Sequence, residues 1–102
     1  METAVLQAKL PVLLDFWADW CPPCQMISRW LERIAPDYAG KFIIAKVDVT
    51  TDRTVADQFE VQSMPTLLWI VNSEVKHRLV EQFNEAELRN LLDSWLGQEK
   101  AA

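Results

Sequence analysis

The sequence predicts an α/β fold in which a mixed four-stranded sheet lies between helices on both faces. Three observations carry that expectation. Apolar runs recur along the chain with helical patterns between them, the order that makes strands joined by helical crossovers. The run at residues 11–17, Pro-Val-Leu-Leu-Asp-Phe-Trp, is almost continuously apolar, as a central strand covered on both faces requires. The last two runs are joined by a tight turn at Asn72-Ser73, so those strands must pair antiparallel.

Residues 3–10 make a short helix candidate with Val5, Leu6 and Leu10 on one side, stopped by Pro11. The strand at 11–17 follows. Beyond Pro22 the pairs Met26/Ile27, Trp30/Leu31 and Ile34/Ala35 recur every four residues, and Tyr38 extends the row. That row is one face of a helix. Pro36 ends or bends its last turn, because proline lacks an amide donor, and Gly40 reads as a terminator. Residues 41–49 are a second strand. Thr50, Thr51 and Asp52 can cap a short helix through Phe59, with Val55, Ala56 and Phe59 inward. Residues 66–71 and 75–80 are the third and fourth strands. Asn84 and Glu87 open the last helix as a capping box. Leu88, Leu91, Leu92, Trp95 and Leu96 form its apolar face, and Gly97 ends it, leaving 98–102 as a frayed tail. Strands separated by helices are expected to run parallel, with only the final hairpin antiparallel.

The chain has 102 residues, the length of one domain (1–102) with a core of its own. Its formal net charge is -5, with Lys and Arg scattered singly. A nucleic-acid or anionic-membrane partner calls for a basic face, so neither is expected. No apolar run reaches the ~20 residues that span a bilayer. The opening Met1-Glu2-Thr3-Ala4 lacks the basic stretch and apolar core of a signal peptide, which places the expected location in the cytoplasm.

The only two cysteines stand in Trp20-Cys21-Pro22-Pro23-Cys24, at the junction of the first strand and the helix after it. Cys21 lies where a helix leaves amides unpaired and its dipole is positive, and both effects favour a thiolate. Cys24, one turn on, can close a disulfide with it. Zinc would need about four N/S ligands, and His77 is the only other good candidate. A c-type haem would need histidine where Gln25 stands. A disulfide closing so short a loop would constrain the unfolded chain little. The pattern therefore points to redox chemistry at a dithiol, with no metal. Pro22 and Pro23 suit a first helical turn, and they also remove two amides that could have faced Cys21.

Asp15 interrupts the apolar strand, on the same side as Trp17 by alternation. Buried there, it would have a raised pKa and could take the proton of Cys24, with Lys46 in the neighbouring strand as its charge partner. The other reading is an acid at a strand edge that reaches solvent. In Ser63-Met64-Pro65-Thr66 a proline enters a buried strand, which suggests a special backbone geometry such as a cis bond.

Taken together these residues resemble the thioredoxin family. Asp15-Phe16-Trp17-Ala18-Asp19-Trp20-Cys21-Pro22-Pro23-Cys24 is similar to its active-site segment, Ala45-Lys46-Val47-Asp48 to its next strand, and Met64-Pro65-Thr66 to its cis-proline loop. The spacing among the three agrees, and the match covers almost the whole chain. The resemblance implies a thiol–disulfide oxidoreductase that reduces protein disulfides, with Cys21 as nucleophile and Cys24 as resolving thiol. Asp15 would be the buried acid, paired through Lys46. Trp20, Pro22, Pro23, Met64, Pro65 and Glu81 would border the groove that docks substrate. No cofactor beyond the Cys21–Cys24 disulfide is implied. The implied partners are disulfide-containing proteins and a thioredoxin reductase-like electron donor, acting on a monomer. The alternative is a thioredoxin-like binding or chaperone-type module in which the dithiol is secondary.

The departures from the family pattern are specific. Its usual first strand has no counterpart here, so four strands are expected in the order 2-1-3-4, with strand 4 antiparallel to strand 3. The usual Gly-Pro between the cysteines is Pro22-Pro23, a helix-bending proline is replaced by Arg29, and usual glycines become Ser63, Ser73 and Glu81.

Overall fold

β1 (Val12–Trp17) is buried along its length, with only Trp17 partly open, because helices cover both of its faces. The computed structural model describes residues 9–80 and 83–101. The helix expected at 3–10 falls almost wholly outside them, and Lys9 and Leu10 form a bend. After β1 come α1 (Pro22–Ile34), a 3-10 turn (Ala35–Tyr38), β2 (Ile43–Asp48), α2 (Thr54–Gln58), β3 (Thr66–Val71), β4 (Glu74–Leu79) and α3 (Glu85–Ala101).

The local reasons match the sequence closely. Pro22 and Pro23 occupy the first positions of α1, where a missing amide removes no helical bond. Pro36 falls in the 3-10 turn that closes the helix. Gly40 then takes φ +79°, a conformation that side chains with a Cβ rarely adopt. Asn72 and Ser73 also take positive φ, as a tight hairpin turn requires. Asp52 Oδ1 accepts from the Thr54 amide at 2.8 Å and so starts α2, while Thr50 bonds instead to Asp48 and Asp19.

The sheet order is β2-β1-β3-β4, with β4 antiparallel to β3 as expected. β2 runs parallel to β1, but β3 runs antiparallel to β1, against the expectation that helix-separated strands pair parallel. The cause is helix length. α1, 13 residues long, advances ~20 Å, enough to return the chain along a strand of similar length. α2, five residues long, advances only ~8 Å. The chain therefore re-enters the sheet at the end it left, with Thr66 beside Phe16.

Two cores result. Leu14, Phe16, Val47, Leu68 and Ile70 face α2, where Ala56 is buried and Val55 and Phe59 pack alongside. Leu13, Leu67 and Trp69 face α1 and α3, meeting Ile27, Leu31, Leu88, Leu92 and Trp95. An aromatic series crosses this second core: Tyr38 to Phe42 at 5.1 Å, Phe42 to Trp69 at 5.2 Å, Trp69 to Trp95 at 5.6 Å, and Trp95 to His77 at 4.7 Å. Gly97 does not end α3, which continues to Ala101. Instead of fraying, the turn beyond Gly97 is tied to β4, where His77 Nε2 and Gln98 Oε1 lie 3.0 Å apart.

The capping box forms in both directions. Asn84 Oδ1 accepts from the Glu87 amide at 2.8 Å, and Glu87 Oε1 accepts from the Asn84 amide at 3.0 Å. Asn84→Ala should lower stability by about 1 kcal/mol. Urea titration would show this as a lower midpoint at unchanged slope.

Candidate functional site

Cys21 is the N-cap of α1, in extended backbone, and it is joined to Cys24 as a disulfide with their Cα atoms 5.3 Å apart. Since Pro22 and Pro23 have no amides, the first N–H of the helix belongs to Cys24. It is shared between the Cys21 carbonyl oxygen at 3.1 Å and Cys21 Sγ at 3.3 Å. Both cysteines are buried and pack in the α2-side core, beside Phe16 and Ala18. Trp20, just before them, is 67% exposed, and Pro22 and Pro23 are exposed as well.

Asp15 is fully buried, which rules out the reading as an edge acid reaching solvent. Neither carboxylate oxygen has a hydrogen-bond partner. Burial pushes its pKa up to about 6, and the charge of Lys46 partly offsets the rise. Lys46 is the residue opposite Asp15 in the β1–β2 register, but it is exposed and makes no hydrogen bond to the carboxylate. The expected pair is thus a field acting through space rather than a contact.

The Met64–Pro65 bond is cis, as the motif suggested. Thr66 Oγ1 donates to the Ser63 carbonyl at 2.6 Å and braces this loop. Since Thr66 pairs with Phe16, the loop sits at the end of β1 that leads to Cys21. Between this loop and α1 lies a cavity of about 430 Å³, walled by Pro23, Met26, Trp30, Met64, Pro65 and Phe83. Trp20, Pro22 and the disulfide stand at the same end of the molecule. Glu81 lies outside the described residues.

Met26, Trp30 and Phe83 did not stand out as site residues in the sequence. Met26 and Trp30 belong to the apolar row of α1, yet only Ile27, Leu31 and Ile34 of that row are buried, while Met26 is 46% exposed. The signal was the width of the row: two adjacent apolar residues in each turn exceed what one core stripe needs.

His77, the other zinc candidate, stacks on the Trp95 ring and meets Gln98. Among the described residues no cluster of three His, Cys, Asp or Glu side chains could hold a metal ion. No helix among them is long and apolar enough to cross a membrane.

Comparison with known proteins agrees with this geometry. The model of the thioredoxin family matches residues 1–94. Over 92 residues the chain is 41% identical to a thioredoxin of Haemophilus influenzae, covering 90% of this chain and 86% of that one. It is 39% identical over 95 residues to a thioredoxin of Acidithiobacillus ferridurans, covering 93% and 88%. To the chloroplastic M-type thioredoxin of Zea mays it is 36% identical over 93 residues, covering 91% of this chain and 56% of the relative.

The buried carboxyl makes stability depend on pH in a definite direction. Its folded-state pKa of about 6 lies above the ordinary 3.8, so the folded state holds the proton more tightly than the unfolded chain. No penalty exists below pH 3.8; it grows as pH rises through that value and is complete above about 6. The shift corresponds to about 3 kcal/mol. Asp15→Asn, neutral at every pH, should stabilise the fold by about 2–3 kcal/mol at pH 8, with the gain vanishing near pH 4. Denaturation midpoints of both proteins across that range would check it.

Proposed function

The chain belongs to the thioredoxin family and is a thiol–disulfide oxidoreductase; from that premise we propose that it reduces protein disulfides, Cys21 attacking and Cys24 resolving. The observation that carries this assignment is the Cys24 amide directed at Cys21 Sγ on the helix N-cap. That amide and the positive end of α1 favour charge on the Cys21 sulfur once the pair is reduced.

The Cys21 thiolate attacks one sulfur of a substrate disulfide. A Cys21–substrate bond forms, and the other substrate sulfur leaves as a thiolate that takes a proton from solvent. Cys24 then loses its proton and attacks Cys21 Sγ, which frees the second substrate thiol. Two electrons have passed to the substrate, and the enzyme is left as the Cys21–Cys24 disulfide seen here. Asp15, whose carboxylate form prevails above about pH 6 and which has no hydrogen-bond partners, is the proposed acceptor of the Cys24 proton, with Lys46 tempering its basicity. Trp20, Pro22, Pro23, Met64, Pro65 and Glu81 are the proposed border of the docking surface.

The cycle requires a donor of two electrons, for which a thioredoxin reductase-like enzyme is the proposed partner. A monomeric single domain acting in the cytoplasm is the setting that accompanies this reading. Turnover separates it from a thioredoxin-like binding or chaperone-type module. Reduced protein should cleave an accessible protein disulfide repeatedly with dithiothreitol as donor. Cys21→Ser should fall to the uncatalysed rate, while Cys24→Ser should accumulate a mixed disulfide visible by mass spectrometry. Wild-type turnover in Cys21→Ser would refute the assignment of roles.

A further inference from the structure

We propose that Thr50 and Gln25 are positioning residues: from two different parts of the fold they clamp the backbone of Asp19 and so fix the turn that presents Trp20 beside Cys21. This rests on the oxidoreductase reading, with Trp20 at the border of the docking surface, and adds to it what holds that border in place.

β1 does not run straight into α1. The Cys21 amide donates to the Ala18 carbonyl at 3.2 Å and closes a turn with Asp19 and Trp20 at its centre. That bond pairs the two ends of the turn and leaves the backbone polar groups of Asp19 to partners outside it. Both groups find one. The Asp19 amide donates to Thr50 Oγ1 at 2.9 Å, and the Asp19 carbonyl accepts from Gln25 Nε2 at 3.3 Å. The Thr50 hydroxyl also donates to Asp19 Oδ1 at 3.4 Å, so it serves the same residue as acceptor and as donor.

The two partners are themselves anchored. Thr50 follows β2, where the Val49 amide donates to the Trp17 carbonyl at 2.9 Å and the Thr50 amide to Asp48 Oδ1 at 2.9 Å. Its hydroxyl is thus tied to the sheet that contains β1. Gln25 follows Cys24 in α1, and its amide donates to the Cys21 carbonyl at 3.3 Å. Its side chain reaches back past the cysteine pair to the turn. Asp19 is therefore held from the sheet on one side and from α1 on the other.

What the clamp governs is Trp20. Cys21 is buried and already fixed as the N-cap of α1. Trp20 is 67% exposed, so little packing holds its ring, and the ring follows the backbone of the turn. A turn free to rock would have to be ordered each time a substrate chain came to lie against Trp20, and that ordering weakens binding. The effect falls on substrates long enough to touch Trp20 and leaves the exchange at the sulfurs as it is.

Thr50→Val and Gln25→Met each release one side of the clamp at an exposed position, so the core is untouched. With dithiothreitol as donor, each should raise KM for insulin about fivefold, the worth of one hydrogen bond, with kcat within about twofold of wild type. Thr50→Ser keeps the hydroxyl and should restore the wild-type KM. Reduction of bis(2-hydroxyethyl) disulfide, too small to reach Trp20 from Cys21, should not change in any of them. In a Trp20→Ala background the penalty of Thr50→Val should fall toward none, because the clamp has nothing left to position. Wild-type KM in both Thr50→Val and Gln25→Met would overturn the proposal. So would a penalty that persists in full in Trp20→Ala, or one that appears equally with the small disulfide. In those cases the wild-type protein still turns over and the oxidoreductase reading stands; a wild-type protein inert toward both disulfides would refute that reading as well.

Discussion

The first amide that α1 can offer belongs to Cys24, and it is directed at Cys21 Sγ. Two prolines ahead of it leave no earlier donor, so this amide serves both the N-cap sulfur, as an N-cap side chain is normally served, and the Cys21 carbonyl oxygen. The rest of the architecture holds this cap in place. β1 is buried between two helical layers and delivers the chain to Cys21. β3 enters beside the same end of β1 and brings the Met64–Pro65 loop to the helix start. Had the second crossover been long enough to make β3 parallel to β1, the proline loop would stand at the other end of the sheet.

A carboxylate in the middle of that buried strand works against stability. Asp15 has no hydrogen-bond partner, and the opposing charge of Lys46 acts only from a distance. A structural role would be served better by an apolar residue, as at its neighbours Leu14 and Phe16. A group held near the middle of the pH scale can both accept and return a proton close to neutrality, which a solvated carboxylate does poorly.

The apolar row of α1 is divided between two surroundings. Its buried stripe of Ile27, Leu31 and Ile34 anchors the helix to the sheet, while Trp30 packs at the edge of that core and Met26 lies 46% exposed at the wall of the open cavity.

Much was legible in the sequence because its signals are local. The continuous run at 11–17, the prolines at 22 and 23, the turn at Asn72-Ser73 and the Asn84/Glu87 box each depend on neighbours within a few residues, and each forms as its chemistry dictates. The cysteine pair was legible for the same reason, since strand, cap and helix follow one another directly. What only the tertiary structure decided depends on distance in space. The direction of β3 followed from the length of α2, the persistence of α3 beyond Gly97 accompanies the contact of Gln98 with His77, and the open side of α1 emerged from where Phe83 and the Met64–Pro65 loop stop. An apolar residue in a helical row reads the same whether it faces a core or a groove, because periodicity records which side of the helix is apolar and not what lies opposite.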